Sequence, residues 1–73
     1  MSRHTVGNTI RALRELRGLS RRALATSAKC SQPTIYRIEN DEQDPSLSLL
    51  RDLLDALEAD DRTRLDLLKT PAV

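Results

Sequence analysis

Apolar residues recur at intervals of three and four positions through most of the chain, which is the spacing of one face of an α-helix. Polar and turn-forming residues separate the periodic stretches. This pattern predicts five helices. They extend over Val6 to Arg17, from Ser20 to a turn at residues 28–31, over residues 31–40, over Leu47 to about Glu58, and over about residues 61–69.

Residues that can accept a hydrogen bond from a helix N-terminus stand where these helices begin. Ser20, Ser31 and Ser46 each precede a periodic stretch and are the predicted N-caps of the second, third and fourth helices. Two alternatives remain open at each of the outer helices, namely Thr5 or Asn8 for the first and Asp60 or Asp61 for the fifth.

The helical spacing also predicts which side chains face the core. About 100° of rotation per residue places them on one stripe of each helix. The inward positions are Val6, Ile10 and Leu13; Leu24, Ala25 and Ala28; Ser31, Ile35, Ile38 and Glu39; and Leu47, Leu50, Leu53, Leu54 and Leu57. The fifth helix carries Leu65, Leu67 and Leu68.

The opposite side of the third helix carries a group of polar and aromatic residues, Gln32, Pro33, Tyr36, Arg37 and Asn40. An isolated helix gains nothing from this grouping, so it indicates a surface that binds another molecule. Gln can form paired hydrogen bonds with adenine and Arg with guanine in the DNA major groove. Asn and Tyr suit contacts with phosphate or bases.

The start of the second helix gives a separate indication. Arg21 and Arg22 lie in its first turn, where the positive end of the helix dipole disfavours cations by about 0.3 to 1 kcal/mol each. A phosphate at that end would reverse the effect, because backbone N–H groups and two guanidinium groups would converge on one anion. The two arginines therefore favour a phosphate-binding role.

Three runs of residues at fixed spacings match the pattern of a known family: Gly18-Leu19-Ser20-x-x-x-Leu24-Ala25, Ser31-x-x-Thr34-Ile35-x-Arg37-Ile38-Glu39-Asn40, and Pro45-Ser46-Leu47. Over about Val6 to Leu57 the chain resembles the Cro/repressor-type (XRE-type) helix-turn-helix DNA-binding family. The resemblance implies an all-α, compact five-helix lambda-repressor-like helix-turn-helix domain. We expect residues 1–73 to form this one domain, with its core over about 6–57 and a C-terminal helix over about 61–69.

The resemblance also implies roles for individual residues. The helix over residues 31–40 would be the recognition helix, which lies in the major groove. The expected base contacts are Gln32, Pro33, Tyr36 and Arg37, and the expected phosphate contacts are Arg21, Arg22, Ser31, Thr34 and Asn40. Arg14 would form a structural ion pair with Glu39 and so tie the first helix to the third.

The implied function is that of a sequence-specific transcriptional regulator, a repressor that binds a palindromic operator in double-stranded DNA as a homodimer. One alternative is the antitoxin of a toxin-antitoxin pair, which would bind DNA and a partner protein. Another is a protein-interaction module that has lost DNA binding. An enzyme is not expected, because a single His and the lack of a nucleophile-base pair leave no residues for catalysis.

Charge is distributed unevenly along the chain, although the net charge of its 73 residues is only +1. Residues 1–38 contain eight Arg or Lys and one acidic residue, a net charge of +7. Residues 39–73 contain four Arg or Lys and ten acidic residues, a net charge of −6. We therefore predict a basic face for phosphates and an acidic back, with two ordinary solvated faces as the alternative.

A chain of 73 residues is near the lower limit for an independent core, so oligomerisation is a natural supplement. Leu49 widens the apolar arc of the fourth helix, and the fifth helix adds further leucines. We expect helices 4 and 5 to form a homodimer interface, or alternatively only to cover the core.

Three features depart from the family pattern. Lys29 stands in the turn where the family commonly has Gly, and costs about 1 kcal/mol if φ is positive there. The segment Asp41 to Pro45 is acidic, so it either points away from DNA or weakens binding. Cys30 is predicted to be a buried thiol that packs as a small hydrophobe, with a redox role as the alternative.

The remaining expectations concern compartment and ligands. No apolar run approaches the ~18 residues of a membrane-spanning helix, and the N-terminus is polar rather than signal-like, so we expect a cytoplasmic protein with no membrane partner. With one His and one Cys, neither a metal site nor a cofactor is expected. Arg3 and His4 form a short polar arm that could touch DNA.

Overall fold

The computed structural model describes residues 5–63 and residue 67, and it is helical throughout these residues apart from turns and loops. The helices are α1 (Val6–Leu16), α2 (Arg21–Ser27), α3 (Gln32–Glu39) and α4 (Leu47–Ala56). Residues 61–63 and 67 are helical and belong to a fifth helix, α5. The predicted all-α, five-helix fold is therefore confirmed. The predicted ends of the first and fourth helices, at Arg17 and about Glu58, are one and two residues too late.

Each helix begins with a side chain that accepts a hydrogen bond from the backbone. The predicted caps Ser20, Ser31 and Ser46 are confirmed, with N–H to Oγ distances of 3.0, 3.2 and 3.1 Å. Thr5 rather than Asn8 caps α1, and Asp60 rather than Asp61 caps α5. The hydrogen bond from the Thr63 backbone lowers the pKa of Asp60, because that bond stabilises the ionised carboxylate.

Two residues after the last residue of each of α1 to α4, the backbone adopts the left-handed conformation. These residues are Gly18 (φ 69°), Lys29 (φ 59°), Asp41 (φ 60°) and Glu58 (φ 53°). At each end the next residue donates its N–H five positions back, for example Cys30 to Ala25 at 2.9 Å, which is the Schellman arrangement. Lys29 therefore has the positive φ that was expected to cost stability. Asp41 and Glu58, which are not glycines either, also have a positive φ.

The core lies where the inward stripes of α1 to α4 meet. Its fully buried side chains are Ile10, Leu24, Ile35, Ile38, Leu53, Leu54 and Leu57. Ala25, Ala28 and Leu50 are buried as predicted, while Val6, Leu13, Leu49 and Leu67 are partly buried against this core. Leu65 and Leu68 lie outside the described residues.

Two inward predictions are wrong. Leu47 is 57% exposed, because it is the first residue of α4 and lies ahead of the turn that packs on the core. Ser31 is exposed because it caps α3 from outside the helix, where the helical angle used for its placement does not apply.

Helix α1 approaches α3 closely at Gly7. A Cβ atom added there would clash with the carbonyl oxygen of Ile38 and with Oδ1 of Asp41. The same region is joined by a hydrogen bond of 3.2 Å from Thr5 Oγ1 to Asp41 Oδ2. The start of α1 therefore fixes the end of α3.

None of the helices described over residues 5–63 is both long enough and apolar enough to cross a bilayer.

Candidate nucleic-acid interface

The position of α3 is fixed from inside by a buried carboxylate. Glu39 is 3% exposed, and its Oε2 and Oε1 accept hydrogen bonds from Nε and Nη2 of Arg14 at 2.6 and 3.2 Å. Arg14 also donates from Nη1 to the carbonyl oxygen of Leu19 at 2.8 Å. The bond to Glu39 raises the pKa of Arg14 above its ordinary value, so this guanidinium stays charged.

Arg21 also binds the carboxylate of Glu39. Its Nε donates to Oε1 of Glu39 at 3.0 Å, and its guanidinium carbon lies 5.3 Å from the centre of the Tyr36 ring. The second distance is within the range of a cation-π contact. Arg21 is thus partly buried and connects the interior of the domain to an exposed aromatic residue of α3.

The outward side of α3 is accessible to another molecule. Gln32, Pro33, Arg37 and Asn40 are exposed, and Tyr36 is 50% exposed. At 100° per residue these five positions fall within an arc of about 140°. The structure therefore places the four expected base-contacting residues on one accessible surface, hereafter the outer face of α3 (Gln32, Pro33, Tyr36, Arg37 and Asn40).

Three of the expected phosphate-contacting residues already form hydrogen bonds at the ends of α3. The hydroxyl groups of Ser31 and Thr34 are 2.8 Å apart, and Ser31 Oγ also accepts from the Thr34 backbone. Asn40 donates from Nδ2 to the carbonyl oxygen of Tyr36 at 2.9 Å. Each of these side chains is at least partly accessible and retains further lone pairs or N–H groups for a phosphate.

The cations of α1, α2, α3 and the turn between α2 and α3 differ in whether they form ion pairs within the fold. Arg14 and Arg21 bind Glu39, and Arg11 Nε lies 3.5 Å from Glu15 on the next turn of α1. Within residues 5–63, the exposed side chains of Arg22 and Lys29 form no ion pair, and the same is true of Arg37. These three are the cations most available to an external anion.

Arg17 has a structural role that the sequence pattern did not indicate. Its Nε and Nη2 donate to the carbonyl oxygens of Leu57 and Glu58, both at 2.9 Å. These carbonyls belong to the C-cap of α4 and to the residue after it, at a helix end where acceptors are otherwise unsatisfied. The partners are 40 and 41 residues away in sequence, so no local spacing could have revealed the contact.

One residue of the acidic segment after α3 hydrogen-bonds to the start of α1, and the other acidic residues are exposed. Asp41 faces α1 through its bond to Thr5, while Glu42, Gln43 and Asp44 are exposed. Among residues 5–63, Asp41 is therefore the acidic residue of this segment whose side chain hydrogen-bonds to another part of the fold. Arg3 and His4, the arm predicted to touch DNA, lie outside the described residues.

Cys30 was predicted to be a buried thiol, and the structure shows it half-buried and packed against the core. Burial raises the pKa of its thiol, and the negative charge of Asp52 adds to this effect. The neutral thiol is therefore favoured at neutral pH, which matches the role of a small apolar side chain.

Comparison with known proteins assigns the chain to a family. Residues 5–68 match the family model described as a helix-turn-helix domain, which is in the XRE/Cro-type class. Neither a curated protein nor a solved structure matches the chain. The family match includes α1 to α4, the described part of α5 and the whole outer face of α3. The chain therefore belongs to the helix-turn-helix domain family, within its XRE/Cro-type class.

Proposed function

We propose that this protein is a sequence-specific DNA-binding transcriptional regulator, a repressor that binds a palindromic operator as a homodimer. The observation that carries the proposal is the outer face of α3, which presents Gln32 and Arg37 to solvent from a helix held in place by buried Glu39. These are side chains that suit the edges of adenine and guanine in the major groove. Family membership supports the same reading.

In this proposal α3 enters the major groove with its N-terminal residues toward the bases. Gln32, Pro33, Tyr36 and Arg37 contact base edges. Arg21, Arg22, Ser31, Thr34 and Asn40 contact phosphates and set the register of the protein on the duplex. Two protomers would place their recognition helices in successive grooves, about 34 Å apart.

The dimer is proposed to form through α4 and α5. Leu47 at the start of α4 is 57% exposed, and Leu49 is only partly buried. Exposed leucines on a small domain favour a contact that removes them from water. The antitoxin alternative would use the same leucines to bind a toxin. The molar mass of the purified protein, alone and with the product of a neighbouring gene, distinguishes the two.

The test is a titration that measures binding of the protein to the DNA upstream of its gene, at neutral pH and at two salt concentrations. If Arg21 and Arg22 of each protomer contact phosphates, a dimer makes four charged contacts. The slope of log Kd against log salt concentration should then be about 3 to 4. Raising salt from ~50 to ~200 mM should then weaken binding about 100-fold.

A scrambled duplex of the same length and base composition is the control. It should bind at least about 1,000-fold more weakly at the higher salt concentration. No binding to any duplex at the lower salt concentration, including a pool of randomised sequences, would overturn the proposal and favour a protein-interaction module instead.

A further inference from the structure

A shallow depression lies on the outer face of α3 and is lined by Arg21, Gln32, Pro33 and Tyr36. Most of its surface is apolar, although Arg21, Gln32 and Tyr36 among its lining residues also carry polar groups. Three of its lining residues come from the first five positions of α3, which is the part of a recognition helix that approaches base edges. A depression of this composition suits a small apolar group better than a phosphate.

The walls of the depression are held in place from the interior. Tyr36 is 50% exposed, yet the Arg21 guanidinium lies over its ring at 5.3 Å. Arg21 is in turn fixed by a 3.0 Å hydrogen bond to Glu39, which is 3% exposed. A site whose walls are already ordered loses less conformational entropy when it is filled. This depression is therefore part of the fold and does not have to form on binding.

One base in unmodified DNA presents an apolar group to the major groove, and it is thymine, through its C5-methyl group. The partner adenine presents its N7 and N6 groups beside it, and a Gln amide can bind both. Gln32 lines the depression and provides the amide, and the other lining residues provide apolar surface. Amide and carbon together fit the edge of an A·T pair.

We infer that the depression formed by Arg21, Gln32, Pro33 and Tyr36 binds the C5-methyl group of a thymine in the operator. The inference rests on the proposed function and deepens it, since it names a base that α3 distinguishes. Cytosine methylated at C5 carries the same group, but its partner guanine lacks the N6 donor that the Gln32 amide pairs with. Thymine is therefore the assigned ligand, and methylated cytosine is a separate arm of the test.

The experiment begins with duplexes selected by this protein from a randomised DNA pool. Each thymine of the selected duplex is replaced in turn by deoxyuridine, which lacks only the methyl group. We expect one position per half-site at which binding weakens about fourfold, the equivalent of about 0.8 kcal/mol for one buried methyl group. In the other arm, 5-methylcytosine replaces each cytosine, and binding should not tighten at any position.

Variants of the walls assign the effect to the depression. Tyr36→Ala and Pro33→Ala should reduce the ratio of uridine to thymine dissociation constants at that position to about one. Tyr36→Phe keeps the ring and should keep the ratio near four. Arg37 is not among the residues lining the depression, so Arg37→Ala should weaken both duplexes and leave the ratio unchanged.

The outcomes separate this inference from the function on which it rests. A selected sequence that binds thymine and uridine duplexes equally at every position overturns the methyl site and leaves the DNA-binding proposal intact. A ratio of four that survives both Tyr36→Ala and Pro33→Ala also overturns it, because the methyl group then lies elsewhere. Failure to select any sequence overturns the proposed function, and the methyl site with it.

Discussion

On its inner side α3 presents Ile35, Ile38 and Glu39, none of them more than 3% exposed, whereas on its outer side it presents Gln32 and Arg37 to solvent. The inner residues contact the core and an arginine of α1, so they hold the helix in position. Within the described residues, Arg37 forms no ion pair. Substitutions on the inner side should therefore change stability, and those on the outer side should change binding.

One residue belongs to both sides. Arg21 binds the buried carboxylate of Glu39 and also lies over the exposed ring of Tyr36. Its neighbour Arg22 is exposed and forms no ion pair within residues 5–63. The contrast between these adjacent arginines offers a way to measure how far folding and binding are linked in this domain.

The largest effect is expected on the inner side, for Arg14→Ala. The substitution removes both hydrogen bonds that Arg14 donates to Glu39 and leaves Arg21 as the partner of that buried carboxylate. Removing one member of a buried pair costs about 3 to 5 kcal/mol, and the remaining arginine should keep the loss near the lower figure. Thermal unfolding should show a melting temperature more than about 10 °C lower.

A double variant separates the loss of the pair from the loss of packing. Arg14→Met with Glu39→Leu replaces both charges by apolar groups of similar size, which is often close to neutral in other proteins. It should be clearly more stable than Arg14→Ala. If Arg14→Ala lowers the melting temperature by only a degree or two, the ion pair does not hold α3 in place.

The next effect is expected on the outer side, for Arg37→Ala. Loss of the guanidinium that we propose contacts guanine should weaken operator binding by about 1 to 3 kcal/mol and relax the sequence preference. The free energy of unfolding should change by less than about 0.5 kcal/mol, because Arg37 is exposed and has no ion pair among the residues described. Titration of operator and scrambled duplexes, with urea unfolding alongside, measures both quantities.

Arg51→Ala is the matched control, because it removes the same charge from an exposed position of α4, outside α2 and α3. It should leave the ratio of operator to scrambled binding unchanged. A large fall in stability for Arg37→Ala would show that the outer face also supports the fold, and the contrast between the two sides of α3 would be lost.

Features that depend on neighbouring residues could be predicted from the sequence. Ser20, Ser31 and Ser46 were identifiable as caps because a cap bonds a backbone group only three positions away. The buried positions Ile35 and Ile38 followed from the helical period. Leu47 and Ser31 were misplaced because the period says nothing about residues at the edge of a helix, where the chain enters from a loop.

Features that depend on distant residues could not be predicted in the same way. The bond from Arg21 to Glu39 joins residues 18 apart, and the sequence pattern showed only an arginine at an unfavourable helix end. That bond also holds Arg21, one of the residues that line the depression beside Tyr36. Positive φ at Asp41 and Glu58 was also unforeseen, since neither residue type marks a helix end as glycine does.

For Arg21→Ala we expect smaller changes in both stability and DNA binding. Loss of the contacts to Glu39 and Tyr36 should lower the free energy of unfolding by about 0.5 to 1 kcal/mol, because the arginine is partly exposed and its ion pair is screened. Loss of the proposed phosphate contact should also reduce the salt slope of operator binding by about one per protomer. Urea unfolding and titrations at several salt concentrations measure the two effects.

Arg22→Ala is the control in the adjacent position. It should reduce the salt slope by a similar amount without lowering the free energy of unfolding, since the Arg22 side chain forms no ion pair within residues 5–63 and a cation in the first turn of α2 opposes the helix dipole. Identical behaviour of the two variants in both measurements would show that the bond from Arg21 to Glu39 contributes nothing to the fold.

The smallest effect is expected in the turn between α2 and α3, which belongs to neither side of α3. Lys29 has a φ of 59°, and a Cβ atom in that conformation costs about 1 to 2 kcal/mol. Lys29→Gly removes this cost but adds about 0.5 to 1 kcal/mol of chain entropy to the unfolded state. The net result should be a gain of about 0.5 to 1 kcal/mol, visible as a melting temperature a few degrees higher.

Two further variants distinguish backbone strain from charge at this turn. Lys29→Ala removes the charge but keeps the Cβ atom, so it should not be stabilised, and its DNA affinity should equal that of Lys29→Gly. Gly18→Ala places a Cβ atom at a φ of 69° with no heavy atom within 4 Å, so conformation alone should destabilise it by about 1 kcal/mol. If Lys29→Ala is as stable as Lys29→Gly, the gain comes from removing a cation from the basic half of the chain, and the left-handed backbone carries no measurable cost.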